Sequence, residues 1–215
     1  MPGMANKSNK GISINKLALG DYQANCYVVS CPDTGEAVII DAPGTAEQIL
    51  SSVQGLKVSC MVLTHTHPDH TEALAELRRL LCVPLALHGA ESARIEPPAE
   101  RVLHDGEVLR LGNHEMRVIH TPGHTPGGIC LLHGKHLFSG DTLFPGGPGK
   151  TASPQDFSLV VDSITRKLFR LPDDTLVHPG HGPDTVLGKE KKEFAVFSSR
   201  PHPTDLCGDV VWLSS

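Results

Sequence analysis

Four side chains able to bind a metal stand within six consecutive residues, in the run His65-Thr66-His67-Pro68-Asp69-His70. Imidazole and carboxylate are ordinary ligands of zinc, iron and manganese. His65 and His67 are two residues apart. In extended chain their side chains leave the same face and can grip one ion together. Asp69 and His70 are adjacent and diverge, which suits a second ion beside the first. Three later stations extend the set: His124 in Thr121-Pro122-Gly123-His124-Thr125-Pro126-Gly127, Asp141 in Ser139-Gly140-Asp141-Thr142, and His181 in His178-Pro179-Gly180-His181-Gly182. Glycine and proline flank each of them, which allows close backbone approach and a fixed side-chain direction. Of the 13 histidines, His88, His104, His114, His120, His133, His136, His178 and His202 match no such station. His120 and His178 lie near enough along the chain to support the ligands from behind.

The elements that must carry these residues are legible from hydrophobic period and turn residues. Strands are predicted over 12–19, 25–30, 37–40, 58–63, 84–88 and 175–178. Two hairpins are expected, 107–111 with 115–120 across Gly112-Asn113, and 127–132 with 136–139 across Gly134-Lys135. Helices are predicted over 45–53, over 72–81 with Thr71 as N-cap, over 154–169 with Ser153 as cap, and over 188–197. The segment between 88 and 107 reads as a Glu/Ala/Pro-rich connection. The histidine run therefore sits where an apolar strand hands over to a helix, and the other three stations follow strands. Two sheets covered by helices satisfy this order. Residues 1–11 read as a disordered lead-in and residues 12–215 as a single domain.

Composition excludes several classes. The 215 residues carry 19 basic and 24 acidic side chains, a net charge of −5, and only 4% aromatic residues. That is no footprint for nucleic acid. No apolar run reaches the roughly 18 residues of a membrane span. The N-terminus has no apolar stretch of a secretory signal, so a cytoplasmic location is expected. The six cysteines form no Cys-x-x-Cys pair and are expected to be reduced.

Taken in order, the stations resemble those of the metallo-β-lactamase superfamily of metal-dependent hydrolases, over roughly residues 12–197. The pattern is most similar to the glyoxalase II (hydroxyacylglutathione hydrolase) branch. The resemblance implies an α/β fold, an αββα sandwich with the site along one edge of the two sheets. It implies that His65, His67 and His124 hold one divalent ion, that Asp69, His70 and His181 hold the other, and that Asp141 bridges them. Zinc is the first expectation, with iron or manganese as alternatives. Classical zinc β-lactamases lack a histidine directly after the aspartate and use a later cysteine, where His70 and Asp141 stand here. Flavodiiron proteins carry a glutamate at the place of His67.

The implied reaction is attack of a metal-bridging hydroxide on an acyl carbon, with Asp69 and Asp141 as the catalytic carboxylates. A thiolate leaves with a pKa of roughly 8.5 and needs little acid help, so a small acyl thioester is the expected substrate. Lys150, at the end of the segment 142–150, resembles the lysine that helps to hold glutathione. Other grips are missing. Thr151-Ala152-Ser153 replaces the aromatic residue expected after that lysine, Gly182-Pro183-Asp184 lacks the family's tyrosine, and the chain ends 34 residues beyond His181, short of the branch's helical extension. Lys189, Lys191 and Lys192 could substitute in part. Two other activities of the superfamily are weighed against this one: a persulfide dioxygenase with a single iron, and a lactonase. Gly149-Lys150-Thr151-Ala152 departs from the segment of the former, whereas the latter shares every ligand.

Overall fold

The computed structural model describes residues 11–215, so the expected lead-in lies outside the described residues apart from Gly11. Five strands and two helices come first: β1 (Ser13–Leu19), β2 (Ala24–Ser30), β3 (Glu36–Ile40), α1 (Ala46–Ser52), β4 (Lys57–Val62), α2 (Leu74–Leu81) and β5 (Leu85–His88). With β6 (Arg101–Leu103) they form a six-stranded sheet in the order β1-β2-β3-β4-β5-β6. The second sheet holds β7 (Val108–Leu111), β8 (His114–His120), β9 (Ile129–His133), β10 (His136–Gly140), β13 (Leu176–Pro179) and β14 (Thr185–Val186), in the order β14-β13-β10-β9-β8-β7. A two-stranded ribbon, β11 (Leu143–Phe144) with β12 (Gly147–Pro148), follows β10, and α3 (Pro154–Arg166) and α4 (Leu187–Ser198) cover the second sheet.

The alternation of side chains along the strands sorts the apolar residues into three layers. Val38, Ile40 and Val62 face Leu109, Met116, Leu131 and Phe138 between the sheets. One residue out of phase, Ile39 and Met61 pack under Ile49 of α1 and Leu77 of α2. On the far side Cys130, Leu137 and Val177 pack under Val160 and Ile164 of α3 and Phe197 of α4. The result is the αββα sandwich of the metallo-β-lactamase fold, in one domain.

Both hairpins turn at the expected glycines, pairing Leu111 with His114 and His136 with His133. Ser153 caps α3, its Oγ accepting from Asp156 N at 3.2 Å. Three expectations need correction. Thr71 does not cap a helix: its hydroxyl donates back to the His67 and Pro68 carbonyls at 3.3 and 3.1 Å, closing a tight turn over Pro68–His70, and α2 starts only at Leu74. The third helix ends at Arg166, and Leu168–Arg170 forms a separate 3-10 turn. The connection between 88 and 107 holds a 3-10 segment, Gly89–Arg94, and the edge strand β6. All six cysteines are free. No helix of the described residues is long and apolar enough to cross a membrane.

Candidate metal centre

Strands β3, β4 and β5 run parallel, as do β10 and β13, so the loops after β4, β10 and β13 leave at strand C-termini. The two sheets are stitched there by Asn25, whose N donates to Gly180 O at 2.6 Å and whose Nδ2 donates to Pro179 O at 2.8 Å. The loop after β8 is drawn to the same place by the Thr121 and Thr142 hydroxyls, 2.7 Å apart.

The seven residues singled out by the sequence converge at this seam. Three groups of ligand atoms lie within 4.8 Å of one another: His65 with His67 and His124, His65 with His70 and Asp141, and Asp69 with His70 and His181. Asp141 sits between the outer groups. Its Oδ2 is 3.9 Å from His65 Nε2, 3.5 Å from His124 Nε2 and 3.7 Å from His181 Nε2, and its Oδ1 is 3.4 Å from His70 Nε2. Asp69 Oδ2 is 3.1 Å from His181 Nε2 and 3.8 Å from His70 Nε2. The aspartate's floor is glycine: a Cβ on Gly180 would run into Asp141 Oδ1 and into the His70 ring.

The far nitrogens of four of the five rings are held by acceptors, which fixes their inward-facing lone pairs. His124 Nδ1 donates to Lys150 O at 2.7 Å, and His181 Nδ1 donates to Tyr22 O at 3.0 Å. His70 Nδ1 donates to Asp41 Oδ2 at 2.9 Å. His65 Nδ1 donates to Thr64 Oγ1 at 3.1 Å, and that hydroxyl donates in turn to Asp41 Oδ2 at 2.8 Å. Asp41 Oδ1 also accepts from Thr64 N at 2.7 Å. One buried carboxylate thus orients one ring of each outer group.

The donor set fits divalent cations. His65 Nε2 and Asp141 Oδ1 are buried without any hydrogen-bond partner among the side chains around them. Leaving such atoms unpaired costs about 1–3 kcal/mol each, a cost that coordination removes. Burial pushes the His65 imidazole well below its ordinary pKa, which keeps its lone pair free. Burial opposes ionisation of Asp141, but the close His70 ring and the other imidazoles around it outweigh it and hold its carboxyl well below the usual range. His70 is pushed down by burial and raised further by Asp41 and Asp141, so its net shift is upward. An ion at this ring therefore competes with a proton. One or two divalent ions can be held here.

Lys150 stands at the rim, its side chain 69% exposed, on a cavity of about 340 Å³ lined also by His124, Asp141, His181, Phe144 and Val211. Lys189, Lys191 and Lys192 do not line that cavity. Lys191 is tied to Asp173 at 2.6 Å, and Lys189 lies 3.4 and 3.3 Å from Glu190 and Glu193. Of the two supporting histidines expected, His120 reaches the Pro126 carbonyl at 3.0 Å and so braces the His124 loop. His178 instead bonds Asp184 at 2.8 Å and His136 at 3.0 Å, apart from the ligands.

Two supporting carboxylates escaped the sequence reading. Asp41 follows a four-residue apolar strand segment, the same signal that marked the other stations. Glu91 gave no such signal. It is fully buried, accepts from the Thr66 hydroxyl with one oxygen and from Gly127 N at 2.9 Å with the other, and so ties the His67 loop to the His124 loop. Glu91→Ala is expected to cost about 2–4 kcal/mol of stability by stranding these donors. It should also weaken metal binding about tenfold or more. Denaturant unfolding and a chelator-competition titration check the two effects; an unchanged metal affinity would show that the loops hold their spacing without it.

Residues 19–181 match the family described as the metallo-beta-lactamase superfamily. The Haemophilus influenzae protein named hydroxyacylglutathione hydrolase GloC is 30% identical over 212 residues, covering 88% of this chain and 100% of its own. A hydroxyacylglutathione hydrolase of Xanthomonas axonopodis is 45% identical over 170 residues, 77% of this chain but 64% of its own length. Among solved structures, BLEG-1, described as a B3 metallo-beta-lactamase, superposes with a TM-score of 0.77 at 32% identity, covering 84% of this chain and 97% of its own. TTHA1623 in a di-iron-bound form gives 0.71 at 34%, covering 83% and 97%. With that family match across 19–181, an αββα sandwich and a histidine–aspartate cluster able to take one or two divalent ions at the sheet edge, the chain belongs to the metallo-β-lactamase superfamily of metal-dependent hydrolases.

Proposed function

We propose that the chain hydrolyses a small acyl thioester in the manner of the hydroxyacylglutathione hydrolases. The observation that carries this reading is the convergence of seven ligand-type residues on an open cavity with Lys150 at its rim, in a chain similar to GloC over that protein's whole length. In this reading His65, His67 and His124 hold one divalent ion, Asp69, His70 and His181 hold a second, and Asp141 serves both. Zinc is the first candidate, then iron or manganese. When bound, such ions supply a water that ionises near pH ~7 and a Lewis acid for a carbonyl oxygen.

The chain's own residues do the rest. Asp69, 22% exposed and 3.1 Å from His181, is placed to orient a water and accept its proton. Asp141 stays ionised and keeps the surrounding imidazoles at fixed distances. Phe144, Pro145 and Val211 give the cavity an apolar wall for an acyl chain. A departing thiolate, with a pKa near ~8.5, needs no protein acid. The Lys150 ammonium, 3.5 Å from Asp209, offers a carboxylate of the thiol carrier only a weak contact at the rim.

The test is a panel of S-lactoylglutathione, a lactone, a β-lactam and a persulfide offered to the metal-loaded protein. S-lactoylglutathione is expected to be cleaved, with a high KM. Lys150→Ala should raise that KM about two- to fivefold and leave kcat nearly unchanged, because a rim contact made equally in ground and transition states affects binding alone. Cleavage of the lactone without any thioester would replace this reading with a lactonase. The likeness to BLEG-1 is the reason for the β-lactam arm.

A further inference from the structure

The segment after α4 is part of the cavity. Residues 199–215 contain no long element, yet they are pinned at two points. Gly208 and Thr151 form an isolated bridge, Gly208 N donating to Thr151 O at 3.0 Å and Thr151 N to Gly208 O at 3.2 Å. Trp212 N donates to Gly146 O at 2.7 Å, and the Trp212 ring is fully buried with Phe194 and Phe197 at centroid distances of 5.2 and 5.1 Å. Between these anchors, Asp209, Val210 and Val211 line the cavity beside the metal cluster. The approach is close: a Cβ on Gly147 would strike the Val210 carbonyl.

This double anchoring places Asp209 across from Lys150, with Oδ2 3.5 Å from Nζ. Lys150 is itself fixed at its backbone, because its carbonyl takes the His124 Nδ1 proton at 2.7 Å. Among the described residues lining the cavity, Lys150 is the only lysine or arginine, and Asp209 and Asp141 are the only carboxylates. Asp141 belongs to the metal cluster. At the rim, then, one cation meets one anion, and the rest of the lining is largely apolar. Both partners are well exposed, at 69% and 77%, so the pair is weak and stays open to solutes. Its effect is on what enters. A carboxylate that reaches for Lys150 meets Asp209 beside it, and beyond the pair's own separation the two charges cancel.

We propose that Asp209 is a specificity-determining residue: by neutralising Lys150 it disfavours anionic thiol carriers and turns the cavity toward thioesters of uncharged thiols. This rests on the thioester reading for its substrate class, but the charge preference itself can be read by binding alone.

The experiment titrates two non-hydrolysable thioethers into the metal-loaded full chain by calorimetry. S-hexylglutathione carries two carboxylates and one ammonium; S-hexyl-N-acetylcysteamine carries no charge. Asp209→Asn keeps the size of the side chain and removes the anion. It is expected to lower the Kd for S-hexylglutathione about two- to fivefold, with no change for the neutral thioether. The gain should shrink as ionic strength rises from about 0.05 to 0.5 M, and it should be smaller in the Lys150→Ala background. Equal tightening of both probes, a gain undiminished by Lys150→Ala, no change, or no binding of S-hexylglutathione to either protein would each overturn the proposal. Because neither probe is cleaved, a failure of the thioester reading would appear in the hydrolysis panel and leave this result distinct.

Discussion

Asp141→Ala is expected to drop metal content from two ions per chain to one or fewer, and to lower kcat/KM by at least about 10²–10³-fold. Both oxygens of Asp141 stand among four ring nitrogens, 3.4–3.9 Å away, taken from both outer groups of ligands. Among the described residues no other carboxylate comes within 4 Å of ring nitrogens in both groups: Asp69 approaches only His70 and His181, and Asp41 only His70. Removing Asp141 therefore takes an anion from each site at once. It also leaves His65 Nε2 with no acidic neighbour and the imidazoles facing one another. Elemental analysis of protein loaded with excess metal, beside the hydrolysis rate, checks the prediction. Asp141→Asn, which keeps the shape over Gly180, separates loss of charge from loss of packing. Two ions retained at full affinity in both variants would exclude a shared ligand, and a wild-type protein that never exceeds one ion would favour the mononuclear-iron alternative.

What the sequence reveals about this molecule follows from what is local. The strands that flank the cluster are short apolar runs cut off by Gly, Pro or a polar station, and hydrophobic alternation places their faces. The four stations that carry the seven residues were visible because each follows the end of such a run. Thr71 misled because capping chemistry is judged on a linear pattern. Its hydroxyl is consumed by the carbonyls of the turn that aims Asp69 and His70, and that demand outweighs a helix start. The strand β6 was missed because three residues, Arg101–Leu103, carry no period of their own and are ordered by parallel pairing with β5. Glu91 and Asp209 were missed for the same kind of reason. Their partners are 25 and 59 residues away in sequence, Thr66 and Lys150, and only the closed sandwich brings them together.

Asp41 is the residue whose replacement should weaken the centre most without changing any of the seven ligand-type residues. It lies in the left-handed region, φ +59°, which aspartate and asparagine tolerate better than most residues, and it is 2% exposed. Asp41→Asn therefore keeps both the backbone and the volume. What changes is the hydrogen-bond polarity. The carboxylate accepts three bonds, from Thr64 N, from the Thr64 hydroxyl and from His70 Nδ1. An amide oxygen can replace one side of this arrangement, but an NH₂ group then faces the Thr64 hydroxyl and the His70 N–H, both donors. His70 can answer by moving its proton to Nε2, the atom aimed at Asp141 and His181, and a protonated nitrogen cannot ligate. The Thr64 hydroxyl loses its acceptor and with it the orientation it gives His65. Because the two rings belong to different outer groups, affinity should fall at both sites, by about 10–100-fold, the usual cost of losing such an orienting partner. A chelator-competition titration reads the affinities directly. Excess metal should restore much of the hydrolysis, since the ligands themselves remain, whereas it should not rescue Asp141→Ala. Wild-type affinity in Asp41→Asn would mean that the strand ends alone aim the two histidines, and that the buried carboxylate serves only to close the turn after β3.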